Sequence, residues 1–218
     1  MYKTFLWVVI GCVAMGGCGV RSETKIDLPA EHGAADSMYQ SVASSDGSLS
    51  LDVPKEWTIV AKDNPVLAEA VKALEQEMPS LKNHVEFALS NNMMKLMAME
   101  MRAEEVKKHQ FAENVNVIVI KGAPDPMPDD EWEKTAEATA GALDKSGAMK
   151  WEVVDLPAGK AAHYYGTLQL EKATNDLAGY ILVKDGVSYT VTFSCAQGQI
   201  ADRKPEYDKM MQTFRIKG

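Results

Sequence analysis

Two runs rich in β-branched and aromatic residues, Leu177 to Lys184 and Val187 to Cys195, are separated only by Asp185-Gly186. Both turn residues tolerate the positive φ of a two-residue hairpin, so the runs are expected to pair as adjacent antiparallel strands. Val187, Tyr189, Val191, Phe193 and Cys195 then share one face of the second run. Upstream, Met149 to Leu156 and Ala161 to Glu171 read as two further strands, which makes most of the second half sheet. A last helix over Pro205 to Gln212 packs Tyr207 and Met211 before Thr213-Phe214-Arg215-Ile216 closes the domain.

In the first half, Leu49, Leu51 and Val53 alternate with polar residues, as on a half-buried strand. Pro54 ends that strand, and Trp57 and Ile59 follow. Asn64 is suited to cap a helix with Pro65 at its first position, and Leu67, Ala70, Val71, Leu74 and Met78 form its apolar face. Pro79 interrupts the pattern, after which Ser80 caps a second helix directing Leu81, Val85 and Leu89 to the core. Met93 to Arg102 is favoured as a strand, with Asn91 and Asn92 as the break. A helix running on into Glu104-Glu105-Val106-Lys107-Lys108 is the alternative.

Val115 to Ile120 is β-branched enough to be a strand. After a proline-rich loop, Asp129 is expected to cap a helix with Trp132, Ala136, Thr139, Ala140 and Leu143 on one side. Acidic Asp130, Glu131 and Glu133 suit its positive end, and Gly147 is the expected stop. The chain contains no internal repeat and no second domain.

The N-terminus reads MYKTFLWVVIGCVAMGGCGV, with one cation at Lys3, an apolar run from Phe5 to Met15, and Gly16-Gly17 before Cys18. Such a start is an export signal, too short for a membrane-spanning helix of about 20 apolar residues. It resembles a bacterial lipoprotein signal, which implies cleavage before Cys18 and acylation of its thiol, palmitate included. Cys12, preceded by Val9, Ile10 and Gly11, fits the local rule slightly better but would leave a very short apolar core. The expected organisation is a signal peptide over 1–17, a flexible tether over 18–47 lipidated at Cys18, and a single folded domain over 48–218. Acyl chains contribute about 0.8 kcal/mol per buried methylene, so two or three of them hold a protein stably at a bilayer. Gly19 is not a retention residue of the Asp type, which in a cell with two membranes favours the outer one.

With 23 basic and 31 acidic residues the net charge is −8. That excludes nucleic acid as the expected partner, because such binding relies on basic residues displacing phosphate counterions. It also argues against electrostatic adhesion to anionic lipid, which leaves attachment to the acyl group. If Cys12 leaves with the signal and Cys18 carries lipid, Cys195 stands alone and forms no intramolecular disulfide.

The candidate chemistry is sparse. His32, His84, His109 and His163 are the four histidines, without the short ligand spacings of a structural zinc site. Cys195 with His163 as base is the one drawable thiol or hydrolase pair, set against a buried inert thiol. Met93, Met94, Met97, Met99 and Met101 form a soft-ligand cluster suited to Cu(I), or else an adaptable core filler; as a strand, Met93, Met97, Met99 and Met101 share a face. No phosphate loop, nucleophile elbow or zinc-protease motif is present.

Four segments in order, Val53-Pro54-Lys55-Glu56-Trp57, Phe111 to Val119, Tyr180 to Phe193 and Phe214-Arg215-Ile216, together resemble the PsbP-like superfamily. Over residues 48 to 217 they look most like its bacterial lipoprotein branch, which includes DcrB-like proteins. The resemblance implies an α+β fold, an α/β/α sandwich with a central, mostly antiparallel sheet flanked by helices. It also implies a non-enzymatic accessory or binding protein of the cell envelope or periplasm, with an envelope protein as partner and no cofactor. The helical stretch Asn64 to Leu89 departs from the compact photosynthetic members, so their partner surface is not carried over.

Overall fold

The computed structural model describes residues 38–61, 64, 67, 69, 71–72, 85–86, 89–90, 92–144, 147–169 and 174–217. The expected signal peptide, Cys12, Cys18, His32, the first part of the expected tether, His84 and most of the stretch 64–89 expected to be helical lie outside them. The first strands are β1 (Tyr39–Ala43), β2 (Leu49–Pro54), β3 (Trp57–Ile59) and β4 (Met94–Glu100). Helix α1 (Ala103–His109), β5 (Asn114–Lys121) and α2 (Asp129–Leu143) come next. Strands β6 (Lys150–Leu156), β7 (Gly159–Gln169), β8 (Thr174–Lys184) and β9 (Val187–Ala196) lead to α3 (Ile200–Met211) and β10 (Arg215–Ile216).

Seven strands form one antiparallel sheet in the order β3-β4-β5-β9-β8-β7-β6. Its centre is the β8–β9 hairpin, whose turn residues Asp185 and Gly186 have φ of 54° and 71° as their chemistry demands. Because side chains alternate, the register puts Val115 and Val117 of β5, Val191, Phe193 and Cys195 of β9, and Ala178 and Tyr180 of β8 on one face. That face meets Tyr207, Met210 and Met211 of α3 and Leu49, Leu51 and Val53 of β2 in a single core. On the opposite face Trp132, Ala136, Ala140 and Leu143 of α2 cover Trp151, Ala162, Tyr164, Leu177 and Ile181. The result is an α+β fold with a central antiparallel sheet flanked by helices.

The cover of the first face is not helical throughout. A second sheet, β1-β2-β10, shares it with α3. The folded body therefore begins by Tyr39, inside the stretch expected to be tether, since β1 pairs with β2 from Tyr39↔Pro54 to Ala43↔Ser50. Only Val42 of β1 is buried, so no alternation marks the strand in the sequence. Its hold comes from backbone pairing and from Gln40, whose Nε2 donates to Pro54, Lys55 and Trp57 carbonyls at 3.3, 3.2 and 2.8 Å.

Helix boundaries also shift. Asp129 is the first residue inside α2 rather than its cap, and Pro128 occupies the cap position. The helix stops at Leu143, where the Asp144 carboxylate accepts from the Ala148 and Met149 amides. Helix α3 starts at Ile200 rather than Pro205, because Asp176 of β8 accepts the Ile200 amide at 3.0 Å and satisfies the helix end from a distant strand. The strand reading of Met94 to Glu100 holds, and the charged stretch after it forms the separate helix α1. Leu67, Glu69, Val71, Lys72, Val85, Glu86, Leu89 and Ser90 are helical, as expected for the stretch they belong to.

Gly179 is required by close approach. A Cβ there would lie 2.1 Å from Tyr164 Cζ, and the Tyr164 ring is itself 2 % exposed beneath α2. Gly179→Ala is expected to destabilise the fold by about 3 kcal/mol through overpacking. Urea denaturation checks this, and adding Tyr164→Ala should cost less than the sum of the two single changes. An unchanged midpoint in the single variant would refute the steric account.

Candidate functional site

The sheet register separates the drawable thiol pair. Cys195 of β9 lies opposite Asp176 of β8, and His163 of β7 opposite Tyr180, four residues further along. Two inter-strand steps and four residues place the two Cα atoms roughly 17 Å apart, beyond any hydrogen bond. The Cys195 thiol is fully buried, and burial lifts its pKa to about 12, with the Tyr207 hydroxyl and the Glu113 carboxylate as its neighbours. A thiol held there supplies no thiolate, which removes the thiol-enzyme and hydrolase reading built on Cys195 and His163.

The methionines pack as core. Met97, Met99 and Met101 are 9 %, 2 % and 6 % exposed and lie among Leu67, Val85, Val106 and Ala112. A bulge between Met94 and Leu96 turns Met94 toward the same cluster, while Met93 lies outside the strand and is exposed. The thioethers thus fill an irregular space between β4 and its helical cover, and the copper reading is replaced by packing. Among the described residues no group of three or more His, Cys, Asp or Glu is placed to hold a metal ion. His109, at the end of α1, accepts from Gln199 Nε2 at 2.8 Å and lies 3.6 Å from Glu105.

His163 instead anchors a buried polar network. Its ring stacks on Tyr180 at 4.1 Å and Tyr165 at 5.1 Å, and Nδ1 donates to the Gly179 carbonyl, which can only accept, at 2.9 Å. That bond fixes the neutral tautomer with a bare Nε2, which has no hydrogen-bond partner and stands 3.7 Å from Glu152. Burial, and then the nearby Lys204 ammonium, push the His163 pKa down to about 4. Lys204 reaches Glu152 at 3.4 Å and Asp208 at 2.9 Å, with its ammonium 4.9 Å from the Tyr165 ring centroid. Asp208 spends its other oxygen on the Tyr180 hydroxyl, which donates at 2.5 Å. Burial, followed by the Asp208 charge, raises the Tyr180 phenol well above its ordinary range.

Two cavities open on either side of α3. The first, a cleft of about 230 Å³, is bounded by β1, α1 and the start of α3 and is lined by Glu100, Glu105, Glu113 and Glu206 against Arg102 and Arg203. Its inner groups are mutually satisfied: Arg203 bridges Glu113 at 3.0 Å and Glu206 at 3.2 Å, and Tyr207 donates to Glu113 at 2.6 Å. Burial raises the Glu113 pKa against the opposing pull of Tyr207 and Arg203. Arg102 grips both oxygens of Glu100. The second cavity, a groove of about 680 Å³, follows the outer side of α3 past Tyr165 and Ala148.

In the cleft, and around Lys204 in the floor of the groove, the ionised groups already hold one another. The sequence reading named none of Glu113, Glu152, Arg203, Lys204 and Asp208 as site residues. Lys204 and Asp208 do carry a signal, an i,i+4 pair on one helix, but their partners Glu152 and Tyr180 come from two other strands.

No family model and no curated protein matches the chain. Among solved structures it is similar to cyanobacterial PsbP (CyanoP) from Synechocystis sp. PCC 6803, at 11 % identity over 87 % of this chain and 98 % of that one, with a TM-score of 0.46. It is also similar to LpqN of Mycobacterium tuberculosis, described as involved in cell envelope biogenesis, at 10 % identity over 83 % and 91 % of the two chains, TM-score 0.46. The Ran-binding protein Mog1p of Saccharomyces cerevisiae is a third, at 10 % identity over 82 % and 95 %, TM-score 0.43. At such identities the likeness is one of fold, and it assigns no activity, ligand or partner.

Proposed function

We propose that this chain is an extracytoplasmic accessory protein, held at a membrane by lipid on Cys18, which binds an envelope protein and catalyses nothing. One observation carries the non-catalytic part. The two groups that resemble a catalytic pair are both fully buried and held apart by the sheet register, roughly 17 Å between their Cα atoms, and burial pushes the Cys195 thiol up and the His163 imidazole down. A general base or nucleophile has to be poised near the working pH to be of use. The membrane part rests on the signal-like N-terminus, its Cys18, and the ordered motifs that resemble the lipoprotein branch with DcrB-like members. The tether is then the shorter stretch between Cys18 and Met38, and absence of an Asp at position 19 favours the outer membrane where two exist.

Gently crosslinked cells carrying the native chain or its Cys18→Ser form test the reading. A partner enriched near one-to-one with the native chain alone is the expected result, together with palmitate label on the native chain and none on Cys18→Ser. Label missing from the native chain sinks the anchor, and recovery of intact lipoprotein without an enriched partner sinks the accessory role.

A further inference from the structure

We propose that the groove beside α3 binds a small anion with an apolar body, a carboxylate- or phosphate-headed compound carrying one acyl chain. This site is separate from the protein-binding role above and holds or fails without reference to the Cys18 anchor. Its volume of about 680 Å³ is that of a small-molecule site, which typically spans about 300–1,000 Å³. The groove runs along the helix past Ala201, Pro205, Asp208 and Gln212, which recur every three or four residues on one side of α3. Twelve helical residues give it a length of roughly 18 Å, enough for an extended chain rather than a compact ring.

Its wall is apolar because Ala148, Gly166, Ala201 and Pro205 are small and the Tyr165 ring closes one side. Burying a chain against these groups removes its methylenes from water at about 0.8 kcal/mol each. The head-group preference comes from charge. Lys150 and Lys204 line the groove against the single acid Asp208, while the Lys209 ammonium lies 4.7 Å from the Tyr39 ring centroid, on the side of the first cleft. Lys204 is committed to Asp208 and Glu152 in the floor. Lys150, exposed at the mouth and 5.9 Å from the Tyr165 ring centroid, has no carboxylate partner among the described residues. A carboxylate or phosphate placed there gains a charge-assisted hydrogen bond from Lys150 while its tail lies along Ala201 and Pro205. Gln212 lines the far end of the same groove.

The full chain as Cys18→Ser, made without lipid, can be titrated calorimetrically with decanoate, decyl phosphate and decanol below their aggregation limits. The two anions are expected to saturate at one-to-one and to bind about tenfold more tightly than the neutral alcohol. Lys150→Glu should remove that preference, leaving decanol unchanged. Ala201→Trp, at an exposed helix position, should block all three ligands without altering the circular dichroism spectrum. Transfer of a fluorescent anionic phospholipid from vesicles to the protein marks a bilayer source for the ligand, and saturation by decanoate without such transfer marks a free compound. Equal affinity for decanol and decanoate, an unaltered preference in Lys150→Glu, or the absence of saturation overturns the site.

Discussion

Lys204→Met is expected to destabilise the protein by about 3 kcal/mol at neutral pH. Among the described residues Lys204 is the only lysine or arginine set between Glu152 and Asp208, and the three side chains are 15 %, 10 % and 19 % exposed. Methionine keeps most of the stem and its packing against Tyr165, so the loss is electrostatic: two carboxylates are left close together and largely out of water. Thermal and urea unfolding at pH 7 measure the effect. Lys134→Met supplies the control, since Lys134 pairs with Asp130 and Glu131 on the solvent side of α2 and its loss should leave the midpoint unmoved. Comparable losses in the two variants would contradict the account. A second readout is the His163 resonance: the Lys204 charge helps to depress its pKa, so removing that charge should raise it.

His163 itself makes the fold acid-sensitive. Its folded pKa is about 4 against an ordinary 6.5, with burial as the larger cause and Lys204 as the second. The unfolded chain therefore takes up a proton at higher pH than the native one. The neutral ring's contribution is complete above about pH 6.5 and is lost as pH falls toward 4, amounting to about 3 kcal/mol over that window. Carboxylates titrate in the lower part of the same range, so the informative quantity is a difference between proteins. Unfolding free energy measured from pH 7 to 4 should fall less steeply for His163→Gln than for the native chain. Parallel curves would show that the imidazole is not the titrating group, whatever constant offset the substitution brings.

The long second half was readable because local chemistry and tertiary outcome agree there. Asp185-Gly186 permits one tight turn, and that turn fixes which residues of β8 and β9 face each other. The five residues expected on the inner side of α2, Trp132, Ala136, Thr139, Ala140 and Leu143, are the buried ones, because a helical stripe is set by a 3.6-residue period regardless of what covers it. Met94 to Glu100 was open between strand and helix, and pairing with β3 on one side and β5 on the other settled it.

Missed elements share a cause. Strand β1 buries one residue, and β10 has only two, so neither carries a period; both exist because β2 offers backbone groups on its two sides. The early start of α3 depends on a carboxylate twenty-four positions away in the chain. The polar network was hidden for the same reason, since Glu152, His163, Tyr180, Lys204 and Asp208 come from three strands and a helix.

Taken alone, the sequence determined the properties that depend on neighbours along the chain: an acidic charge, the central hairpin, and the period of each long element. Tertiary structure decided the properties that depend on registers between strands. It placed Cys195 opposite Asp176 and His163 opposite Tyr180, and so broke up the one drawable catalytic pair. It turned the methionines into core and brought Lys204 between two acids. A side chain's burial and charge partners are set by segments distant in sequence, and they decide whether an ionisable residue is reactive or inert.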